Sequence, residues 1–124
     1  MKRILVIDDD GITLTIIQTM LSNAGYSSDT AQDGKEALSR FQHEPYDLVI
    51  TDIIMPQKEG IELIMELRKS GNPDLKIIAI SGGGRIQSNE YLSMALKLGA
   101  DTALTKPIVN EELIEKVEQF IGPS

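Results

Sequence analysis

Hydrophobic and polar positions fall into two textures along this chain. Short, uninterrupted apolar runs occur at Ile4–Ile7, Leu48–Thr51 and Ile77–Ile80, with a weaker one at Thr102–Leu104 and a polar one at Ser27–Ala31. Apolar runs of this length, without alternation, suit strands buried on both faces. Between them, apolar residues recur at helical spacing. The first predicted helix, Ile12 to Asn23, sets Ile17, Met20, Leu21 and Ala24 on one stripe and stops at Gly25. The second, Gly34 to His43, carries Ala37, Leu38 and Phe41 before Pro45. The third, Gly60 to Ser70, aligns Ile61, Ile64, Leu67 and Arg68, and Gly71 suits its C-cap. A fourth runs around Asn89 to Leu98 and ends at Gly99. The fifth follows Pro107, with Val109, Leu113, Val117, Phe120 and Ile121 in phase and Asn110 as the expected N-cap.

Five strand-helix repeats predict an α/β fold, a doubly wound five-stranded parallel sheet with helices on both faces. The 124 residues suit one domain, expected over 1–121, with Gly122-Pro123-Ser124 as a tail or the start of a linker. In such sheets ligands bind outside the carboxyl ends of the strands, so chemistry is sought there. Composition narrows the options. With no cysteine, thiolate catalysis and disulfides are excluded, and a reducing compartment fits. The net charge of −7 argues against non-specific binding to nucleic acid or anionic membranes. No apolar run approaches the roughly 20 residues of a membrane span, nor is there a signal-peptide pattern at the N-terminus.

The strand ends are chemically coherent. Strand one ends in Asp8-Asp9-Asp10, strand three in Asp52, strand four in Ser81, and strand five in Thr105-Lys106-Pro107. Adjacent carboxylates repel unless a cation lies among them. With no thiol or histidine nearby, a hard ion such as Mg²⁺ is the expected partner. Ser81 and Lys106 would face an anion joined to it, most naturally a phosphoryl group, and Asp52 would be the nucleophile. Asp10 reads as the start of the first helix. The one histidine, His43, sits before Glu44-Pro45 and reads as a surface residue.

On these residues the chain resembles the receiver domains of two-component response regulators. The likeness spans essentially the whole chain and rests on ILVIDDD, on DLVITDIIMPQKEG with Asp52, Met55, Pro56 and Gly60 at the family spacing, on IIAISG and on LGADTALTKP. It implies a flavodoxin-like three-layer (βα)5 sandwich and a cytoplasmic signalling switch rather than a turnover enzyme. Asp52 would accept a phosphoryl group from a phosphohistidine on a histidine kinase or phosphotransfer protein. The Mg²⁺ would be held by Asp9, Asp52 and the Ile54 carbonyl, with Asp8 assisting, partly through water. Ser81 would be the switch hydroxyl, Lys106 would pair with the phosphate, and Lys106-Pro107 would be cis. Output, to an effector or an attached domain, would pass through the fourth helix, fifth strand and fifth helix.

Three departures from the family pattern stand out. Ala103 occupies the place of the usual switch aromatic, so ring rotation is not the readout. The stretch from Ser81 to Gly99 is roughly three residues longer than usual and carries three consecutive glycines, which predicts an order-disorder loop over Gly82–Ser88. Ile54 and Gly83 cannot orient water, which predicts a longer-lived acyl phosphate. Two rival readings compete with this one. Asp8-Asp9-Asp10-Gly11-Ile12-Thr13 also resembles the haloacid-dehalogenase-like phosphatase signature, with Asp8 as nucleophile, but no acidic metal motif follows Lys106 on a further strand. A phosphorylation-independent interaction domain leaves the complete acidic, hydroxyl and lysine set unexplained.

Overall fold

The computed structural model describes residues 2–53, 59–69, 72–82 and 93–124. The strands are β1 (Arg3–Ile7), β2 (Ser27–Ala31), β3 (Leu48–Asp52), β4 (Lys76–Ser81) and β5 (Thr102–Thr105). The helices are α1 (Gly11–Asn23), α2 (Gly34–His43), α3 (Glu59–Lys69), α4, seen over 93–98, and α5 (Asn110–Ile121). All neighbours in the sheet are parallel, in the order β2-β1-β3-β4-β5. The strand order reverses direction between β1 and β3, which places a crevice at their carboxyl ends.

Successive side chains in a strand point to opposite faces, so each apolar run feeds two cores. Leu5, Ile7, Val49, Ile77 and Ala79 meet Ala37 of α2, Ile61, Leu63, Ile64 and Leu67 of α3, and Ala95 of α4. Ile4, Val6, Leu48, Ile50, Ile78 and Ile80 meet Leu14, Ile17 and Leu21 of α1 and Leu113, Val117 and Ile121 of α5. That is the expected three-layer sandwich. Each fully buried Leu or Ile contributes about 1.5–3 kcal/mol to holding it together.

Local signals set the helix ends. Asp10 caps α1 by accepting from the Ile12 N–H at 3.0 Å and the Thr13 hydroxyl at 3.0 Å. Gly25, at φ 92°, turns the chain after α1. One expectation needs correcting: the N-cap of α5 is Val109, which makes no side-chain cap bond, and Asn110 is already helical. The Val109 carbonyl accepts from the Leu113 N–H at 3.0 Å, so the first helical bond starts one residue early. Val109 therefore lies outside the buried stripe and is 44% exposed. In α1, Leu14 is buried where Met20 and Ala24 are only partly so.

Gly60 brings α3 against the end of β3. A Cβ there would lie 2.5 Å from Ile53 Cα and 2.6 Å from the Asp52 carbonyl oxygen. The chain after α5 packs on the α1–β2 turn, where the Tyr26 hydroxyl donates to the Gly122 carbonyl at 2.7 Å and Ser124 Oγ to the Ala24 carbonyl at 2.8 Å. Among the described residues, no helix is long and apolar enough to cross a membrane. Ile54, Met55, Pro56, Gly71, the first part of the fourth helix and residues 83–88 of the expected switch loop lie outside the described residues.

Candidate functional site

Asp8 leaves β1 as a buried carboxylate, 1% exposed. Its backbone N–H donates to the Ala31 carbonyl at 3.1 Å, which continues the β1–β2 ladder and fixes its direction. Asp8 Oδ1 accepts from the Asp10 N–H at 2.9 Å, so the same turn that caps α1 also orients Asp8. Asp52 closes β3 and is 4% exposed. Lys106, directly after β5, reaches both carboxylates: its Nζ donates to Asp52 Oδ2 at 2.9 Å and lies 3.1 Å from Asp8 Oδ2. The Asp8 contact is an ion pair without hydrogen-bond direction, which leaves Asp8 Oδ2 with no hydrogen-bond donor among the described residues. Asp9 is exposed, yet its carboxylate joins the other two: ligand atoms of Asp8, Asp9 and Asp52 lie within 4.8 Å of one another.

The charges respond to this crowding. Burial pushes the Asp8 carboxyl above the ordinary carboxylate range, and the charge of Asp52 adds to that, while the Asp10 N–H and Lys106 oppose it. Asp9 is also raised, by desolvation and by its neighbour Asp8. For Lys106, burial pulls downward but the hydrogen bond and charge of Asp52, then the nearby Asp8 carboxylate, prevail and raise it. Asp10 behaves differently: the Ile12 N–H and the Thr13 hydroxyl hold it below the usual range, as suits a helix cap and not a ligand.

Ser81 ends β4, buried at 1% exposure, and its Oγ has no hydrogen-bond partner among the described residues. A buried hydroxyl left unpaired costs roughly 1–3 kcal/mol, so its retention at a strand end calls for a reason. The Ser81 carbonyl accepts from the Lys106 N–H at 2.8 Å, which ties the ends of β4 and β5 together. The Lys106-Pro107 peptide is cis. The residues expected to act together thus occupy one edge of the sheet, apart from Ile54, which lies outside the described residues. Three clustered carboxylate groups, all hard oxygen donors, fit Mg²⁺ in chemistry and spacing.

Residues 4–118 match the family model for the response regulator receiver domain. This chain belongs to that family. Among curated relatives, the receiver domain is 38% identical over 120 residues to a probable transcriptional regulator, ycf27, of Cyanophora paradoxa, covering 97% of this chain and 48% of the relative. It is 35% identical over 126 residues to the alkaline phosphatase synthesis transcriptional regulatory protein PhoP of Bacillus subtilis, covering 99% of this chain and 50% of that one. The chain spans about half the length of the curated relatives it matches. Among solved structures, a receiver domain protein of Clostridium thermocellum superposes with TM-score 0.87 at 31% identity, covering 98% of this chain and 94% of that one. The chemotaxis protein CheY4 of Vibrio cholerae gives TM-score 0.85 at 29% identity, covering 98% and 99%.

Ala103 of the receiver domain is partly buried and packs against the core cluster that includes Ala79 and Ala100. His43 is exposed, and its Nδ1 lies 2.8 Å from the Ser39 carbonyl oxygen. One polar group of weight has no signature in the sequence. Arg68, assigned to the apolar stripe of α3, instead bonds Gly99, Leu75 and Asp101. The phase of α3 brought Arg68 to the inner edge of the helix, but its partners come from distant segments that no local pattern reveals.

Proposed function

We propose that this receiver domain is a phosphorylation-controlled switch with Asp52 as phosphoacceptor. The observation that carries the reading is the shared lysine: one ammonium spans Asp52 and Asp8 at 2.9 and 3.1 Å, with Asp9 beside them. An Asp52 carboxylate oxygen attacks the phosphorus of a phosphohistidine. The P–N bond breaks as the O–P bond forms, and the imidazole leaves with the electron pair and takes a proton from solvent. Lys106 then pairs with a phosphoryl oxygen, and Ser81 Oγ, unpaired before, donates to another. Asp9, Asp52 and the Ile54 carbonyl would hold Mg²⁺, with Asp8 assisting through water. When bound, that ion neutralises charge on the phosphoryl oxygens.

The new phosphate adds about two negative charges and three acceptor oxygens, and its differential contacts in two conformations shift the balance between them. The output surface is α4, β5 and α5, where Met94 and Leu96 of α4 are exposed. The donor is a histidine kinase or phosphotransfer protein in the cytoplasm, and the receiver is residues 1–121 acting on an effector or an attached output domain, as the regulator names of the longer relatives suggest. The test is incubation with acetyl phosphate and Mg²⁺ followed by intact-mass measurement. Wild type should gain one phosphoryl group and Asp52→Asn none. Full modification of Asp52→Asn, or loss of modification in an Asp8→Asn protein alone, would favour the phosphatase-like alternative.

A further inference from the structure

β5 is only four residues long, and Leu104 is its one buried side chain. Register in a strand comes mainly from the match of its apolar face to the core. One buried leucine is a weak specification for the strand that carries Lys106. Polar anchors at its two ends do the rest. At the far end, the Lys106 N–H bonds the Ser81 carbonyl at 2.8 Å. At the near end, Asp101 is locked to β4 twice: its N–H donates to the Ile77 carbonyl at 2.8 Å, and its Oδ2 accepts from the Ile77 N–H at 2.8 Å.

Asp101 is itself held by Arg68. The guanidinium donates from Nη2 to Asp101 Oδ2 at 2.7 Å, from Nε to the Gly99 carbonyl at 2.9 Å, and from Nη1 to the Leu75 carbonyl. The planar fork of an arginine suits this three-way contact, and an ammonium does not reproduce it. Gly99 is fitted to it, since a Cβ there would stand 2.7 Å from Arg68 Cγ, and its φ of 141° is itself unfavourable for side chains. One side chain thus ties α3, the start of β4, the end of α4 and the start of β5.

We infer that Arg68 and Asp101 are positioning residues for Lys106: by fixing the register of β5 at its start, they set the place of the Lys106 ammonium between Asp8 and Asp52, about 16 Å further along the chain. In its rate prediction the inference rests on the switch reading of Asp52; in its structural prediction it does not. The variants are Asp101→Ala, Asp101→Asn and Arg68→Lys, with Tyr26→Phe as a destabilised control whose lost bond lies at the α1–β2 turn. Two quantities are read: amide-exchange protection of the Lys106 N–H and the rate of phosphate acceptance from acetyl phosphate with Mg²⁺.

Asp101→Ala and Arg68→Lys should lower Lys106 amide protection by about tenfold or more, beyond any change in global stability. They should slow phosphate acceptance by about ten- to a hundredfold, the scale of a charged group displaced by an ångström. Asp101→Asn, whose amide oxygen still accepts from Ile77 and Arg68, should retain most of both. Unchanged Lys106 protection in Asp101→Ala, or an equal loss in Tyr26→Phe, overturns the inference. A wild-type protein that accepts no phosphate defeats the switch reading, while the amide comparison still decides the role of Arg68 and Asp101.

Discussion

Asp8→Asn should make the protein more stable in buffer without divalent cations, against the usual effect of changing a buried residue. The substitution keeps the side chain's shape, and its oxygen still accepts from the Asp10 N–H, a bond of 2.9 Å in the wild type. What changes is one negative charge at a site 1% exposed. At an effective dielectric of about 20, the attraction of Lys106 at 3.1 Å gives Asp8 about 5 kcal/mol. Repulsion from Asp52, within 4.8 Å, returns about 3.5 kcal/mol, and solvated Asp9 about 1 more. The remaining attraction is small beside the several kcal/mol that burial of a carboxylate costs. Removing the charge should therefore stabilise by about 2 kcal/mol, or about 6–10 °C in Tm for a domain of this size.

The size of this advantage should depend on pH. Asp8 and Asp9 have folded pKa values raised above their unfolded ones, so the folded state holds their protons more tightly. Their contribution to stability is fully present below about pH 4 and is lost as pH rises through the folded values. The variant escapes the Asp8 share of that loss. Its advantage should be near zero at about pH 4 and greatest at neutral pH, which urea unfolding at both pH values measures. Mg²⁺ should narrow the gap: at ten times its Kd it should stabilise wild type by about 1.4 kcal/mol, and Asp8→Asn less. A variant destabilised by 1 kcal/mol or more at pH 7 would show instead that the Lys106 pair outweighs the cost of burial.

Lys106→Met removes the cation from two buried carboxylates and should destabilise by about 2–3 kcal/mol at pH 7, less than a fully buried pair because the lysine is 29% exposed; the loss should shrink on acidification in the same urea assay. Asp10→Ala loses the α1 cap and should cost about 1 kcal/mol in thermal unfolding while leaving Mg²⁺ affinity, read by calorimetric titration, unchanged. Gly60→Ala places a methyl 2.6 Å from the Asp52 carbonyl oxygen and should cost about 1–3 kcal/mol while slowing phosphate acceptance, whereas a neutral outcome would show that α3 does not press on the end of β3.

The features legible in the sequence were those encoded locally or by family spacing. Continuous apolar runs gave β1, β3 and β4, and polar Ser27–Ala31 still formed a strand because β2 is an edge with only Ala31 buried. Asp10 read correctly as a cap, since the residue before a helix at a strand end has few other roles. The misses have physical causes. Val109 displaced Asn110 as the cap of α5 because a backbone carbonyl can open a helix without side-chain help. Leu63 joined the core of α3 beside Ile64 because a helix lying flat on a sheet buries a wide stripe. The direct Lys106 bridge to Asp8, and the Arg68 clamp, depend on partners 98 and 33 residues away, as the numbering of each pair gives, and no pattern along the chain records such distances.

Asp52 is the proposed acceptor of the phosphoryl group, and no other residue should take it. The most direct measurement is treatment with acetyl phosphate and Mg²⁺, reduction of the acyl phosphate with borohydride, and peptide mapping of the product. Reduction of an aspartyl phosphate leaves homoserine, so that residue should appear at position 52, in a yield that follows the intact-mass gain. Homoserine at position 8 or 9, with Asp52 unmodified, would contradict the assignment.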